Sequence, residues 1–442
     1  MAAPWLYFWL RFRDPFHPAI LLLPIFAFLY GYMPLELKLA DPDRFRKYSG
    51  GAKVYQYQIL TLGLIAALLL GLSWSTRGQT KRAMRWRVLE VRSRRRVMII
   101  AAMLGGAGLS AWLYMIANVG GFQAAYGSSY GGGWASSGYI REMRYLGLVG
   151  ALLVFVTRTG RGMRVQDWLL IAICTAPTLI HALLGARRGP LFLGSVTLFG
   201  GYIYFMRKRV SLPVLIGAGL AVGGAMLFLV ANRGEIHFGA QLAEASLRDP
   251  TEFLIRWNSN EYLIGGAVVQ YTNSEGAFYG RRELAWLIGR LLPNFVWPSA
   301  YGDLANIFGL SIDLTRNGGV SQERLATITN WTPSVGSAEG FTGSLYLEFG
   351  WLAPIVSFLI GAFYGKVWCA AKVSLTARVF YLLMVSMSVY LVMQALDPWL
   401  YRLLLYGVPA YLIARGIRAR PVDAEITGGG RVCQNPEHGQ GS

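Results

Sequence analysis

Charge is scarce in this chain. Of its 442 residues only 15% are Asp, Glu, Lys or Arg, and 54% are hydrophobic. An ordinary soluble domain carries about a quarter charged residues, so a soluble fold is excluded. Acidic residues are scarcer still, 23 against 42 Lys and Arg, which leaves a formal charge of +19. Cysteine is almost missing. Cys174, Cys369 and Cys433 lie far apart, with no Cys-x-x-Cys and no Cys/His grouping, so neither a disulfide framework nor a metal site is indicated. No Gly-x-x-x-x-Gly-Lys-Ser/Thr loop and no dinucleotide fingerprint occurs, which argues against a nucleotide-linked donor and against a bound cofactor. No cleavable signal is recognisable either, because "RFRDP" interrupts the first apolar piece and no small-residue cleavage site follows it.

What the chain does have is long apolar runs, several of about 18 residues or more, the length that crosses a bilayer as a helix. The expected fold is an all-α polytopic membrane protein. Ten helices are expected, over 18–34, 55–74, 97–117, 144–158, 166–185, 189–206, 211–231, 343–365, 377–396 and 399–415. The division is residues 1–231 with seven spans, 232–342 as one long external loop with amphipathic helices, 343–415 with three spans, and 416–442 as a disordered tail. Basic residues alternate between loops. They concentrate at Arg11 and Arg13, Arg77 to Arg96, Arg158 to Arg164, Arg207 to Arg209, Lys366 to Arg378, and Arg415 to Arg420. Positive charge stays cytoplasmic, so both termini are expected in the cytoplasm and the long loop outside. The partners of the excess positive charge are then membrane lipids or an anionic substrate rather than nucleic acid.

Two arginines, Arg187 and Arg188 in "HALLGARRGP", interrupt an otherwise apolar stretch with no acidic residue near them in sequence. A guanidinium at a membrane boundary is costly without a counter-charge, so they are expected to meet an anion. The eight basic residues of the long loop are all arginine: Arg233, Arg248, Arg256, Arg281, Arg282, Arg290, Arg316 and Arg324. Arginine in place of lysine suits planar, two-point contact with phosphate or carboxylate. "LRDPTEFLIRWNSNEYLIGG" reads as a helix starting at Asp249, with Pro250 at its first position and Glu252 completing a capping-box spacing. Glu252 and Arg256 make an ordinary helix-face ion pair in the plainer reading. Asn258, Asn260 and Glu261 beside Trp257 and Tyr262 are instead the amide, acid and ring combination that binds sugars. His181 reads most simply as a packed core residue. Asp41 and Asp43 form an Asp-x-Asp whose plainer reading is a solvated turn, and Asp397 is expected to pair with Arg402 across the last turn.

"GARRGP", "RWNSNEYL", "LLPNFVWP" and "TPSVGSAEGFTGSLYLEFGWLAP", in that order over about residues 180–365, resemble the Wzy-type oligosaccharide repeat-unit polymerases, which include the O-antigen and enterobacterial common antigen polymerases. The resemblance implies an enzyme of the bacterial inner membrane. It would transfer a glycan from undecaprenyl diphosphate onto a new lipid-linked repeat unit at the periplasmic face, without cofactor or metal. The family's Gly-x-Arg-Gly element falls on Gly185, Arg188 and Gly189, its Arg-then-Glu pair on Arg256 and Glu261, and its Gly-rich strip on Gly336, Gly340 and Gly343. Its loop arginine-to-glycine spacings do not line up with Arg316 and Arg324. On this reading Arg187, Arg188 and Arg256 stabilise the diphosphate, Glu261 or Glu339 serves the acceptor hydroxyl, and Arg281, Arg282, Arg324, Asn260, Tyr346 and Arg402 help to hold substrate. A chain-length-regulating co-polymerase is an implied partner. Two alternatives stay open. One is an O-antigen ligase, for which His237 is the only loop histidine; the other is a transporter of a lipid-linked anion, disfavoured because the two halves show no repeated broken helices.

Overall fold

The computed structural model describes residues 1–43, 45, 52–77, 89–128, 138–159, 162–206, 211–239, 248–249, 260–293, 296–315, 320–330, 332–333, 338–417 and 419–421. Several expectations therefore lie outside the described residues. These are residues 250–259 of the expected helix start, with Glu252, Arg256, Trp257 and Asn258, then Arg316, Gly336, the middle of the basic and Gly/Ser-rich loops, and the tail beyond 421.

The chain is an all-α polytopic membrane protein. A short amphipathic helix, α1 (Ala2–Phe12), precedes α2 (Pro18–Ala40), α3 (Ala52–Ser75) and α4 (Arg94–Asn118). After them come α5 (Gly138–Met143), α6 (Leu146–Thr157), α7 (Val165–Leu184), α8 (Arg188–Met206) and α9 (Leu212–Ala231). The long segment contributes α10 (Glu261–Glu275), α11 (Arg281–Leu291), α12 (Ala300–Ile307) and α13 (Gln322–Thr329). The chain then runs through α14 (Gly340–Ala371), α15 (Leu375–Met393) and α16 (396–415). Among the described residues, eight of these helices are long and apolar enough to cross a membrane: α2, α3, α4, α7, α8, α9, α14 and α15.

The other two expected spans are present in altered form. The 144–158 span shortens to α6, twelve residues of which eleven are buried. It packs among α4, α7 and α8, so protein rather than lipid satisfies its flanks and its length need not match the bilayer. The last span begins at Leu396 and contains a π-helical turn at Leu403–Gly407. The predicted break near Gly185 is a tight hairpin, Gly185–Arg187, with Ala186 at φ 45°. Helices of 20 and 19 residues flank it, which rules out a shallow re-entrant turn.

Local sequence explains the starts. His17 caps α2 through Ala19 N–H, with Pro18 at the first position, and Asn260 caps α10 by accepting from Tyr262 and Leu263 N–H. Glycine sets the closest helix crossing. Gly361 and Gly365, four apart on α14, lie against Leu68 and Leu72 of α3, and Gly71 lies against Phe358, with no room for a Cβ at these contacts. Apolar attraction between helices is weak in lipid, so such small-residue seams hold them by van der Waals contact. Described residues of the loops that join α4 to α5, α7 to α8, α9 to α10 and α15 to α16 meet at one end of the bundle, here the loop end: Arg233 donates to Ala186 O, Phe238 N–H to Tyr126 O, and Gly340 N–H to Gln394 O.

Candidate functional site

The α7–α8 hairpin delivers Arg187 and Arg188 to the loop end, beside Tyr390 of α15. Gly189 packs against the Tyr390 ring so closely that any Cβ would collide with it. Behind that ring lies a group of charges that the sequence reading passed over. Arg144 donates to Tyr145 Oη at 2.8 Å and lies over its ring. Arg402 sits 3.8 Å from the Tyr390 ring centroid, and its Nε is 3.8 Å from Glu142 Oε2. Tyr406 donates to the same Glu142 carboxylate. Arg141 and Arg144 both act electrostatically on Arg187.

Arg402, Arg144 and Arg141 act on Glu142, and Arg144 and Arg141 on Arg187, so among the described residues these four guanidiniums form one cluster with the Glu142 carboxylate. Although burial opposes it, Arg402 and Arg144 hold Glu142 ionised, below its ordinary pKa. Burial, then Arg144, pushes the Arg187 pKa down. Like charges in a low-dielectric setting disfavour one another, and an incoming anion relieves that cost. Tyr126 Oη lies 3.4 Å from His181 Nδ1 and accepts from Trp112, so His181 belongs to a packed aromatic group at the chamber's edge.

Arg188, the residue after Arg187, forms an ion pair with Glu261 at the first turn of α10. Glu339 is close by. It precedes Gly340, whose φ of 69° suits glycine and whose Cβ position is filled by the Tyr30 hydroxyl. Gly340 N–H donates to Gln394 O at 2.8 Å, which ties this turn to the end of α15. Burial raises the Glu339 pKa to about 7, against the pull of Arg282. A carboxyl tuned near neutrality can take and return protons at the working pH.

The third cluster corrects the sequence reading most. Arg282 was expected to bind substrate, and it is fully enclosed. It pairs with Glu348 and makes a two-point contact with Asp397 at 3.0 and 3.1 Å. Asp397 thus pairs with Arg282, and Arg402 pairs with Glu142, in place of the Asp397–Arg402 pair expected across the turn. Glu283 lies 3.8 Å from Arg282, and burial with Asp397 beside it raises its pKa well above the usual value. This cluster docks α11 onto α14 and α16.

The remaining candidates scatter. Arg281 is exposed and bonded to Phe278 O, and Arg324 is exposed and bonded to Ser311 O. Tyr346 is buried and donates to Asn273 at 2.8 Å, and Asn260 is engaged as the α10 cap. The structure thus brings Arg187 and Arg402 to Tyr390 and Arg188 to Glu261, sets Glu339 within reach of Arg282 and Asp397, and leaves Arg281 and Arg324 apart from them.

Arg141, Glu142 and Arg144, in "GYIREMRY", are the residues that sequence reasoning missed. The available signal was their position. Arg141 and Arg144 are basic residues at the end of a span where the charge alternation leaves few. No group of His, Cys, Asp and Glu among the described residues forms a metal site. No family model, curated protein or solved structure matches the chain.

Proposed function

We propose that the chain is a glycosyltransferase that polymerises oligosaccharide repeat units carried on undecaprenyl diphosphate. It would work at the loop end, which the charge alternation assigns to the periplasmic side of a bacterial inner membrane, with both termini cytoplasmic. One observation carries the anionic part of this reading: among the described residues the guanidiniums of Arg141, Arg144, Arg187 and Arg402 cluster with the Glu142 carboxylate beside Tyr390. The glycan part rests on the resemblance of residues 180–365.

The chemistry follows from this arrangement. A hydroxyl oxygen of the acceptor unit attacks the anomeric carbon of the donor glycan. The bond from that carbon to the diphosphate oxygen breaks, and its electron pair leaves with the lipid diphosphate. Arg187 and Arg188, with Arg144 and Arg402, offset the charge as it develops there. The hydroxyl proton passes to Glu339, whose pKa of about 7 suits the task; Glu261 is engaged by Arg188. A co-polymerase that sets chain length would act from outside this chamber.

The test is a purified preparation given a synthetic lipid-diphosphate repeat unit, with Arg187→Ala, Arg188→Lys and Arg256→Ala in parallel and a chelator in one arm. A chelator-resistant ladder of lipid-linked products, lost in the Arg187 and Arg188 variants, supports the reading. Movement of the lipid across proteoliposomes without any ladder would replace it with transport.

A further inference from the structure

Arg188 also lines a second feature. An apolar crevice of about 1460 Å³ runs beside α2, α8 and α9, from Met1 and Trp5 at one end to Arg188 at the other. Drug-sized ligands occupy about 300–1,000 Å³, so the crevice suits something longer. Arg188 is the one charged side chain among the described residues lining it. Its α9 wall is built for access. Only 17% of the apolar window of α9 is buried, the least of the eight spans, and Gly219, Gly223 and Gly224 face open space.

At the head of the crevice the guanidinium of Arg188 is engaged by Glu261, with the Arg188 side chain 21% exposed and that of Glu261 3%. Glu261 is the first residue of α10. The positive dipole end of the helix stabilises a carboxylate there even when its cationic partner moves away. The ion pair is therefore one that a stronger anion can exchange. A diphosphate carries more charge than one carboxylate or the phosphodiester of a phospholipid, and it brings several oxygens for the guanidinium.

We infer that the crevice receives the polyprenyl chain of a lipid diphosphate entering sideways past α9, and that its diphosphate displaces Glu261 from Arg188. The Arg188–Glu261 pair is thus a placeholder that neutralises the site between substrates. This inference rests on the proposed function for the identity of the lipid.

The experiment is binding of undecaprenyl diphosphate to the full chain in nanodiscs, read separately from polymerisation. Glu261→Gln removes the competing carboxylate with the side-chain shape retained, and is expected to tighten binding by about tenfold, equivalent to about 1.4 kcal/mol. Gly223→Trp fills the crevice from its open wall. It is expected to weaken binding of the prenyl diphosphate by at least roughly tenfold while leaving binding of inorganic diphosphate unchanged. Thermal unfolding of both variants identifies one that fails to fold. For that site Glu261→Ala or Gly223→Phe takes its place, with the same expectations.

Unchanged or weaker binding in a folded Glu261 variant overturns the exchange, since a purely structural ion pair gives that result. Competition by phosphatidylglycerol as effective as by undecaprenyl diphosphate overturns the proposed occupant. A wild-type protein that binds the lipid tightly but makes no ladder leaves this inference standing and removes the polymerase reading. A ladder without detectable crevice dependence does the reverse.

Discussion

Two charge clusters sit at the loop end, a few residues apart on α16, and they are unbalanced in opposite senses. Around Arg402, four arginines meet one carboxylate, Glu142. Around Asp397, four carboxylates (Glu283, Glu339, Glu348 and Asp397) meet one arginine, Arg282. A buried excess of negative charge can be neutralised from within, because carboxyls take up protons; the raised pKa values of Glu283 and Glu339 reflect this. A buried excess of guanidinium cannot be relieved in that way, since arginine stays protonated. The first kind of cluster can close on itself and act as a structural lock. The second is relieved only by an anion from outside, which makes it the better place to look for a ligand.

The sharpest way to break this contrast is to remove one arginine from each cluster. Arg282→Met leaves carboxylates buried without their cation and is expected to lower stability by about 3–5 kcal/mol. Arg187→Ala relieves like-charge repulsion and is expected to leave the unfolding midpoint unchanged or raised, while polymerisation falls by roughly 10²–10³-fold. Thermal unfolding together with the product ladder reads both. Equal destabilisation by the two substitutions would show that the chamber arginines are structural as well.

Glu339 gives the next largest effect. As the proposed proton acceptor it works when ionised, so the rate should rise with pH through about 7. Glu339→Gln should lose that dependence together with roughly 10²-fold or more of the rate. Stability should move the opposite way. The folded state holds the Glu339 proton up to about 7 and the unfolded chain only to about 4.5, so the folded state binds more protons in that window. The contribution is fully present below the lower value and is lost as pH rises through the upper one. A stability profile that instead climbs from acid to neutral pH would show that other groups dominate.

Smaller effects refine the picture. Glu283→Gln mimics a carboxyl already protonated in the fold and should change stability by less than about 0.5 kcal/mol. A loss several times larger would mean that Glu283 is ionised and the lock is held by charge. Arg324→Ala, at an exposed residue bonded to Ser311 O, should change neither stability nor rate beyond about 0.5 kcal/mol.

Much of the site was legible residue by residue, but its pairing was not. Arg187 and Arg188 stood out because arginines in an apolar stretch are costly, and Glu261 and Glu339 because their motifs resembled a known family. The partner of Arg188 is 73 positions away, and the Asp397 that holds Arg282 is 115 away. Sequence proximity therefore suggested the wrong pair for Asp397 and for Arg402. Arg282 looked like its neighbour Arg281, yet one is enclosed and the other exposed, since adjacent residues on a helix point about 100° apart.

By itself, the sequence determined that this is a membrane-spanning helical protein and roughly where its helices run. Backbone polar groups have no other way to be satisfied in lipid, and apolar length is a local property. Only the tertiary structure decided which charges meet: α6 shortened inside the bundle, four arginines gathered around one carboxylate, and a crevice ending at Arg188. Those outcomes depend on distances between helices far apart in the chain, which side-chain packing and electrostatics settle only once the bundle is assembled.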